Sequence, residues 1–198
     1  MTYIKYDVLV IGSLNADLVV RAPRFPLPGE TISGDDLQII PGGKGANQAV
    51  AAARQGASVA MLGRVGSDSF GPFLLASLKS NQVDVTHVRT DDAATGTATI
   101  IVDGNGQNSI VLSAGANGKV SPADVDSAST LRPKLILFQL EIPIPTVLYA
   151  AQCAHQNGSR VILNPAPAKP LPDELISLAD FIIPNETELS LLTGMEVK

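Results

Sequence analysis

Short, uninterrupted apolar runs punctuate the chain. Val8-Leu9-Val10-Ile11 stands directly before Gly12, and similar runs recur at 58–62, 135–140, 161–163 and 181–183. A run that is apolar at every position predicts a strand buried on both faces. Between several of these runs the period lengthens to that of a helix. After Pro143, the residues Ile144, Val147, Leu148 and Ala151 follow the i, i+3, i+4, i+7 spacing of one helix face. Pro143 fits the first turn, where its missing N–H costs nothing. Residues 46–53 and 70–78 read as further helices, the first packed through small side chains. Alternation of this kind predicts a largely parallel α/β sheet.

Two stretches break the rhythm. Residues 18–41 are rich in Pro and Gly and lean towards β structure around 31–40. Residues 97–113 hold two β runs, 99–102 and 109–112, around Asp103-Gly104-Asn105-Gly106, whose Asp-Gly and Asn-Gly pairs are hairpin signals. Both stretches are predicted to be antiparallel excursions that build one small β layer beside the main sheet. A layer joined to the larger body through glycines could close as a lid and exclude water. Residues 185–193 read as a helix stopped by Gly194. No repeat, low-complexity segment or linker interrupts the chain.

Composition narrows the possibilities. Apolar residues make up 45% of the 198 and charged residues 17%, which predicts a globular chain that buries roughly 70% of its unfolded surface. The formal charge of -5 leaves no basic footprint for nucleic acid or an anionic membrane. It leaves room for a polyanion such as ATP, because helix N-terminal amides bind phosphate locally. The single cysteine, Cys153, cannot form an internal disulfide and reads as a buried packing residue. His87 and His155 are far apart and outside any zinc spacing. Residues 1–7 precede only four apolar residues, short of the ~7–15 of a secretory leader, and no run approaches the ~18 of a membrane span. The expectation is a soluble, cytoplasmic protein.

Four polar clusters sit at predicted strand or turn exits. In Pro41-Gly42-Gly43-Lys44-Gly45-Ala46-Asn47-Gln48, glycines lead straight into a helix, so amides converge on whatever lies before it. Lys44 and Asn47 can add donors, and the Asn47 carbonyl an acceptor, for a polyhydroxylated ligand; a tight turn with a solvated lysine is the plainer alternative. The segment is not a P-loop, since Gly45 follows Lys44 where Ser or Thr should bind magnesium, and Gln48 spoils the G-x-G-x-x-G pattern. Asn15 and Asp17 follow the first buried strand, where ligands of open α/β sheets gather. They could hold adjacent hydroxyls, or simply form an Asx turn or cap. Glu141 follows the run at 135–140 and could serve the same cleft or a salt bridge. Asn185 and Glu188 form a capping box or face phosphates and magnesium-bound water. Together the four suggest a single cleft.

These motifs resemble the ribokinase-like carbohydrate kinases. The resemblance is carried by Asn15-Ala16-Asp17, Pro28-Gly29-Glu30-Thr31, the stretch from Gly42 to Ala53, Gly115-Ala116-Asn117, Asn164-Pro165-Ala166-Pro167-Ala168 and Pro184-Asn185-Glu186-Thr187-Glu188. It implies a three-layer α/β/α, Rossmann-like domain over residues 1–198, with lid segments at about 15–42 and 95–114, incomplete at the C-terminal end. It implies transfer of the ATP γ-phosphate to the 5-hydroxyl of D-ribose, with magnesium and a monovalent cation such as potassium. Asn15, Asp17, Gly43, Lys44, Asn47 and Glu141 would contact the sugar, in segments that also include Ala16, Gly45 and Ala46. Asn185 would contact nucleotide, and Glu188 would act on magnesium through water. The lid is also the family's usual homodimer surface.

The family's later segment, D-T-x-G-A-G-D, does not occur in these 198 residues. That segment supplies the catalytic base, the amide anion hole and much of the adenine and cation sites. The expectation is therefore a chain with a sugar site and no base. A kinase of the same family for another sugar or a nucleoside is the nearest alternative. A non-catalytic sugar-binding protein is the next, and a dinucleotide oxidoreductase is disfavoured by the missing glycine fingerprint.

Overall fold

The structure is a computed structural model that describes residues 6–196. The first five residues of the leader reading, 1–5, lie outside the described ones. Among the described residues ten strands and six helices follow in order: β1 Val8–Ile11, β2 Asn15–Arg21, β3 Gln38–Gly42, α1 Lys44–Arg54, β4 Val59–Gly66, α2 Phe70–Ser80, β5 Val83–Asp91, β6 Gly96–Val102 and β7 Asn108–Ser113. A 3-10 turn, Gly115–Lys119, precedes α3 Pro122–Ser127, β8 Leu135–Phe138, α4 Ile144–Gln156, β9 Arg160–Leu163, α5 Asp173–Leu178, β10 Phe181–Ile182 and α6 Glu186–Thr193.

The five apolar runs become strands of the main sheet, which β5 completes at one edge: the order is β10-β9-β8-β1-β4-β5, with every pair parallel. Strand alternation sends Val8 and Val10 to one face and Leu9 and Ile11 to the other. The first pair packs in a cluster with Ala46 and Ala49 of α1 and Leu74 and Leu78 of α2. The second packs with Val125 of α3, Val147 and Ala151 of α4 and Leu175 of α5. Helices on both faces of a parallel sheet make the three layers, and each fully buried aliphatic side chain contributes about 1.5–3 kcal/mol.

Chain order fixes where a ligand belongs. From β1 the chain builds towards β4 and β5, then returns to β8 on β1's other side. The sheet therefore changes direction between β1 and β8, and loops leaving their C-terminal ends part to open a crevice. Gly12–Asp17 leave β1 there, and Glu141 follows β8.

The two rhythm-breaking stretches join in a second sheet, ordered β3-β2-β6-β7. The expectation of a purely antiparallel layer is corrected: β2/β3 and β6/β7 are antiparallel, whereas β2 and β6 run parallel. Each is entered from the end of a strand of one parallel sheet, β1 or β5, so both set out in the same direction. Residues 31–37 form no strand; Asp35 N donates to Arg21 O at 2.8 Å, so this segment runs irregularly along the end of β2. The hairpin expected at 103–106 is present. Gly106 has φ 80°, and Asp103 Oδ1 accepts from Asn105 N and Gln107 N, both at 2.9 Å. Cys153 is half-buried at the margin of the core and not fully enclosed as expected. Among the described residues no helix is long and apolar enough to cross a membrane.

Candidate functional site

The pocket is built from backbone constraints first. Gly43 has φ 92°, a conformation other side chains avoid, and a Cβ there would come within 2.7 Å of Asn15 N. The glycine thus lets the loop press against β2 and turn at once into α1. The first helical amide, Lys44 N, donates to Glu141 Oε2 at 3.2 Å. The same oxygen accepts from Ser13 Oγ at 2.5 Å and Asn15 Nδ2 at 3.4 Å. Glu141 therefore takes the helix N-terminus in place of a salt bridge, a position favourable for a carboxylate.

Asn15 and Asp17 lie two apart on β2 and so share a face. That face looks onto the crevice, and register carries it across the second sheet. Asp17 stands opposite Ile40 on one side and Ala98 on the other, and Ala98 opposite Leu112. A cavity of about 350 Å³ is lined by Asn15, Asp17, Gly43, Lys44, Asn47 and Glu141, with Ala98, Ile100, Ile110 and Leu112 as its apolar wall. Six of the predicted sugar contacts are thus brought into one pocket. Ala16, Gly45 and Ala46 do not line it. Ala16 is wholly buried, Gly45 N donates to Ser13 Oγ at 3.3 Å, and Ala46 N donates to Ser13 O at 2.9 Å. They hold the loop from behind.

Asp17 carries the unusual electrostatics. Burial, and secondarily the negative charge of Glu141, push its carboxyl above the ordinary carboxylate range. Room for it depends on Gly42, where a Cβ would sit 2.2–2.5 Å from the carboxylate atoms of Asp17. Gly42→Ala should therefore displace Asp17 and weaken binding of a polyhydroxylated ligand several-fold. Calorimetric titration with D-ribose, alongside a thermal melt, checks this.

Asn185 and Glu188 are brought together, but away from this pocket, at the exit of β10. Asn185 Oδ1 accepts from Glu188 N at 2.8 Å, while Asn185 N and Nδ2 donate to the Glu188 carboxylate at 2.9 and 3.1 Å. This is a complete capping box on α6, with Gly194 closing the helix in the left-handed region. Polar groups at the neighbouring strand ends are linked: Gln139 Nε2 donates to Gln48 Oε1 at 2.6 Å, and Asn164 Nδ2 to Ile183 O at 2.9 Å. Gln48 Nε2 joins the two, donating to Asn164 Oδ1 at 3.4 Å. Among the described residues no three His, Cys, Asp or Glu side chains come together as a metal site.

Sequence reasoning passed over two residues behind the pocket. Ser13 is fully buried and holds Glu141; its only signal was a small polar residue just after the first strand. Asn117, 1% exposed, was visible only as part of a family motif.

A family model described as "pfkB family carbohydrate kinase" matches residues 5–198. The ribokinase of Haemophilus influenzae is 50% identical over 196 residues, covering 98% of this chain and 64% of the relative. A deoxyribokinase of Salmonella typhi is 42% identical, covering 96% of this chain and 64% of that protein. The structure of Arabidopsis thaliana ribokinase complexed with ribose and ATP superposes with a TM-score of 0.87 at 36% identity, over 98% of this chain and 65% of that one. The chain spans just under two thirds of the length of these relatives. With the crevice at the sheet's switch point, the glycine-led α1 beneath it and a family match running through almost every residue, this chain belongs to the pfkB family of carbohydrate kinases.

Proposed function

We propose that this chain forms the sugar-binding part of a kinase that transfers the γ-phosphate of ATP to the 5-hydroxyl of D-ribose. The observation that carries the reading is one pocket in which two carboxylates, Asp17 and Glu141, face the donors of Asn15, Lys44 and Asn47. Carboxylates accept from sugar hydroxyls while amides and an ammonium donate to their oxygens. The ribose bound to the Arabidopsis relative and the names of the bacterial relatives favour this substrate. The deoxyribokinase relative makes deoxyribose the control ligand.

Asn15, Asp17, Gly43, Lys44, Asn47 and Glu141 bind the sugar in this reading, with Ala16, Gly45 and Ala46 supporting through the backbone. Asn185 meets the nucleotide. Glu188 reaches magnesium only through water. Its carboxylate is already engaged by Asn185, and among the described residues no three His, Cys, Asp or Glu side chains gather as a metal site, so Asn185 and Glu188 do not by themselves form a magnesium cage. A potassium site is likewise assigned to none of them. The second sheet serves as lid and dimer surface, with Ile110, Val111 and Leu112 of β7 all well exposed. The cytoplasm is the compartment where ribose and ATP meet.

Calorimetric titration with D-ribose and with deoxyribose tests the sugar assignment; saturable binding of ribose, tighter than deoxyribose, is expected. Sedimentation of the same samples across micromolar concentrations tests the dimer, and a strict monomer throughout would remove the lid interface.

A further inference from the structure

The sugar pocket has a second layer that determines which way one of its amides points. Asn117 sits in the 3-10 turn where the chain returns from β7 to the main body, and its side chain is buried against Leu14 and Asn15. Leu14 N donates to Asn117 Oδ1 at 2.9 Å, and Asn117 Nδ2 donates to Leu14 O at 3.0 Å. A backbone N–H can only donate and a carbonyl can only accept, so these two bonds leave the Asn117 amide a single orientation. Its remaining Nδ2 proton then points at Asn15, 2.7 Å away, and only an acceptor can meet it there. Asn15 must turn Oδ1 inward and its NH2 towards Glu141 and the cavity.

We propose that Asn117 is a positioning residue that fixes the amide of Asn15 as a hydrogen-bond donor to the sugar, acting through Asn15 and not on the ligand itself. The inference rests on the ribose-binding reading above. The donor matters because the two carboxylates that line the pocket with Asn15, Asp17 and Glu141, are acceptors. A hydroxyl placed among them can accept from Asn15 while donating to a carboxylate. With the amide reversed, three acceptors would face one hydroxyl that has one proton to give.

The surroundings are cut to fit this contact. Gly96, the first residue of β6, lies so close that a Cβ would come 2.1 Å from Asn117 Nδ2 and 2.4 Å from Asn15 Oδ1. Gly115 (φ 50°) opens the turn, and Ala116 N and Asn117 N are tied to Ala94 O and Ala114 O at 2.8 and 3.0 Å. The root of the second sheet thus holds Asn117, and Asn117 holds Asn15. A smaller chamber of about 130 Å³, lined by Asn15, Asn117, Glu141 and Lys169 among others, lies directly beside the pair.

The test uses the full product of the gene, as wild type, Asn117→Asp, Asn15→Ala and the double variant. Asn117→Asp keeps the acceptor for Leu14 N but replaces the donor facing Asn15 with an oxygen. In ligand-free 1H–15N spectra, the Asn15 side-chain amide pair, assigned by its loss in Asn15→Ala, should shift in Asn117→Asp as the amide reverses. D-Ribose affinity should fall about tenfold in Asn117→Asp, the scale of one hydrogen bond to a charged or fully desolvated partner. In the double variant it should be no weaker than in Asn15→Ala alone, because an orienting contact has no effect once there is no amide to orient. Losses that add in full, or an Asn15 amide unmoved by Asn117→Asp, would overturn the inference. Wild-type protein supplies a check that does not depend on a variant folding: ribose should shift the Asn15 amide pair and leave that of Asn117 in place, and the reverse would also overturn it. Wild-type protein that ignores ribose would instead defeat the substrate assignment, while the ligand-free spectra would still judge the orientation.

Discussion

The 198 residues, purified by themselves with ATP, magnesium and potassium, should show no measurable ribose-dependent ADP formation. Phosphoryl transfer relies on positioning and on stabilising charge that spreads over the moving phosphoryl group. In the proposed site Asp17 and Glu141 serve as acceptors for sugar hydroxyls, and Glu141 Oε2 already takes three donors. The segment D-T-x-G-A-G-D, which in the family provides a base and facing amides, does not occur in this sequence. A general base typically contributes about 10²–10⁴-fold, and one anion-hole donor about 10²–10³-fold. A coupled ADP assay, with the Haemophilus influenzae ribokinase as positive control, reads this directly. Turnover within tenfold of that control would show that a residue of this chain takes the hydroxyl proton.

Replacing Asp17 by alanine should weaken ribose binding by roughly 1.5–3 kcal/mol, the scale of hydrogen bonds to a charged group, which is about 10- to 150-fold in Kd. Asp17 is half-buried on β2, beside Asn15 and across from Glu141, with Gly42 leaving space for its carboxylate. Calorimetry on a variant with an unchanged melting profile checks the loss, and unchanged affinity would remove Asp17 from the site. Acidity should act through the same group. Burial first, and the Glu141 charge second, raise its pKa, so protonation removes the acceptor at a higher pH than for a free aspartate. Ribose affinity should be intact above that raised value and decline as pH falls through it, and Asp17→Asn should flatten the dependence. Stability of the free protein moves the other way. A carboxyl that holds its proton more tightly folded than unfolded destabilises the fold while ionised, and that contribution shrinks as pH falls through the folded pKa.

Much of this molecule is legible in local pattern. The run at 8–11 emerged as β1 with both faces buried, residues 46–53 and 70–78 lie within α1 and α2, and Gly194 ends α6 in the left-handed region. These outcomes depend on neighbours a few residues apart, so hydrophobic period and cap chemistry suffice. The strand exits were legible for the same reason, and with them most of the residues that line the pocket. β5 escaped notice because it is an edge strand, only partly buried, and carries no continuous apolar run.

What only the tertiary structure decided concerns direction and partnership. The parallel pairing of β2 with β6 follows from where each leaves the main sheet, which no local signal records. Glu141 was placed near the cleft from its position after a strand. Its engagement with Ser13, 128 residues away, and with the first amide of α1 came only with the fold. The orientation of Asn15 is fixed by Asn117, 102 residues further along the chain, through bonds whose polarity comes from the backbone of Leu14. Sequence supplies donors and acceptors; which end of an amide faces a ligand is determined by groups buried behind it, because in the desolvated interior each must find a partner of opposite kind.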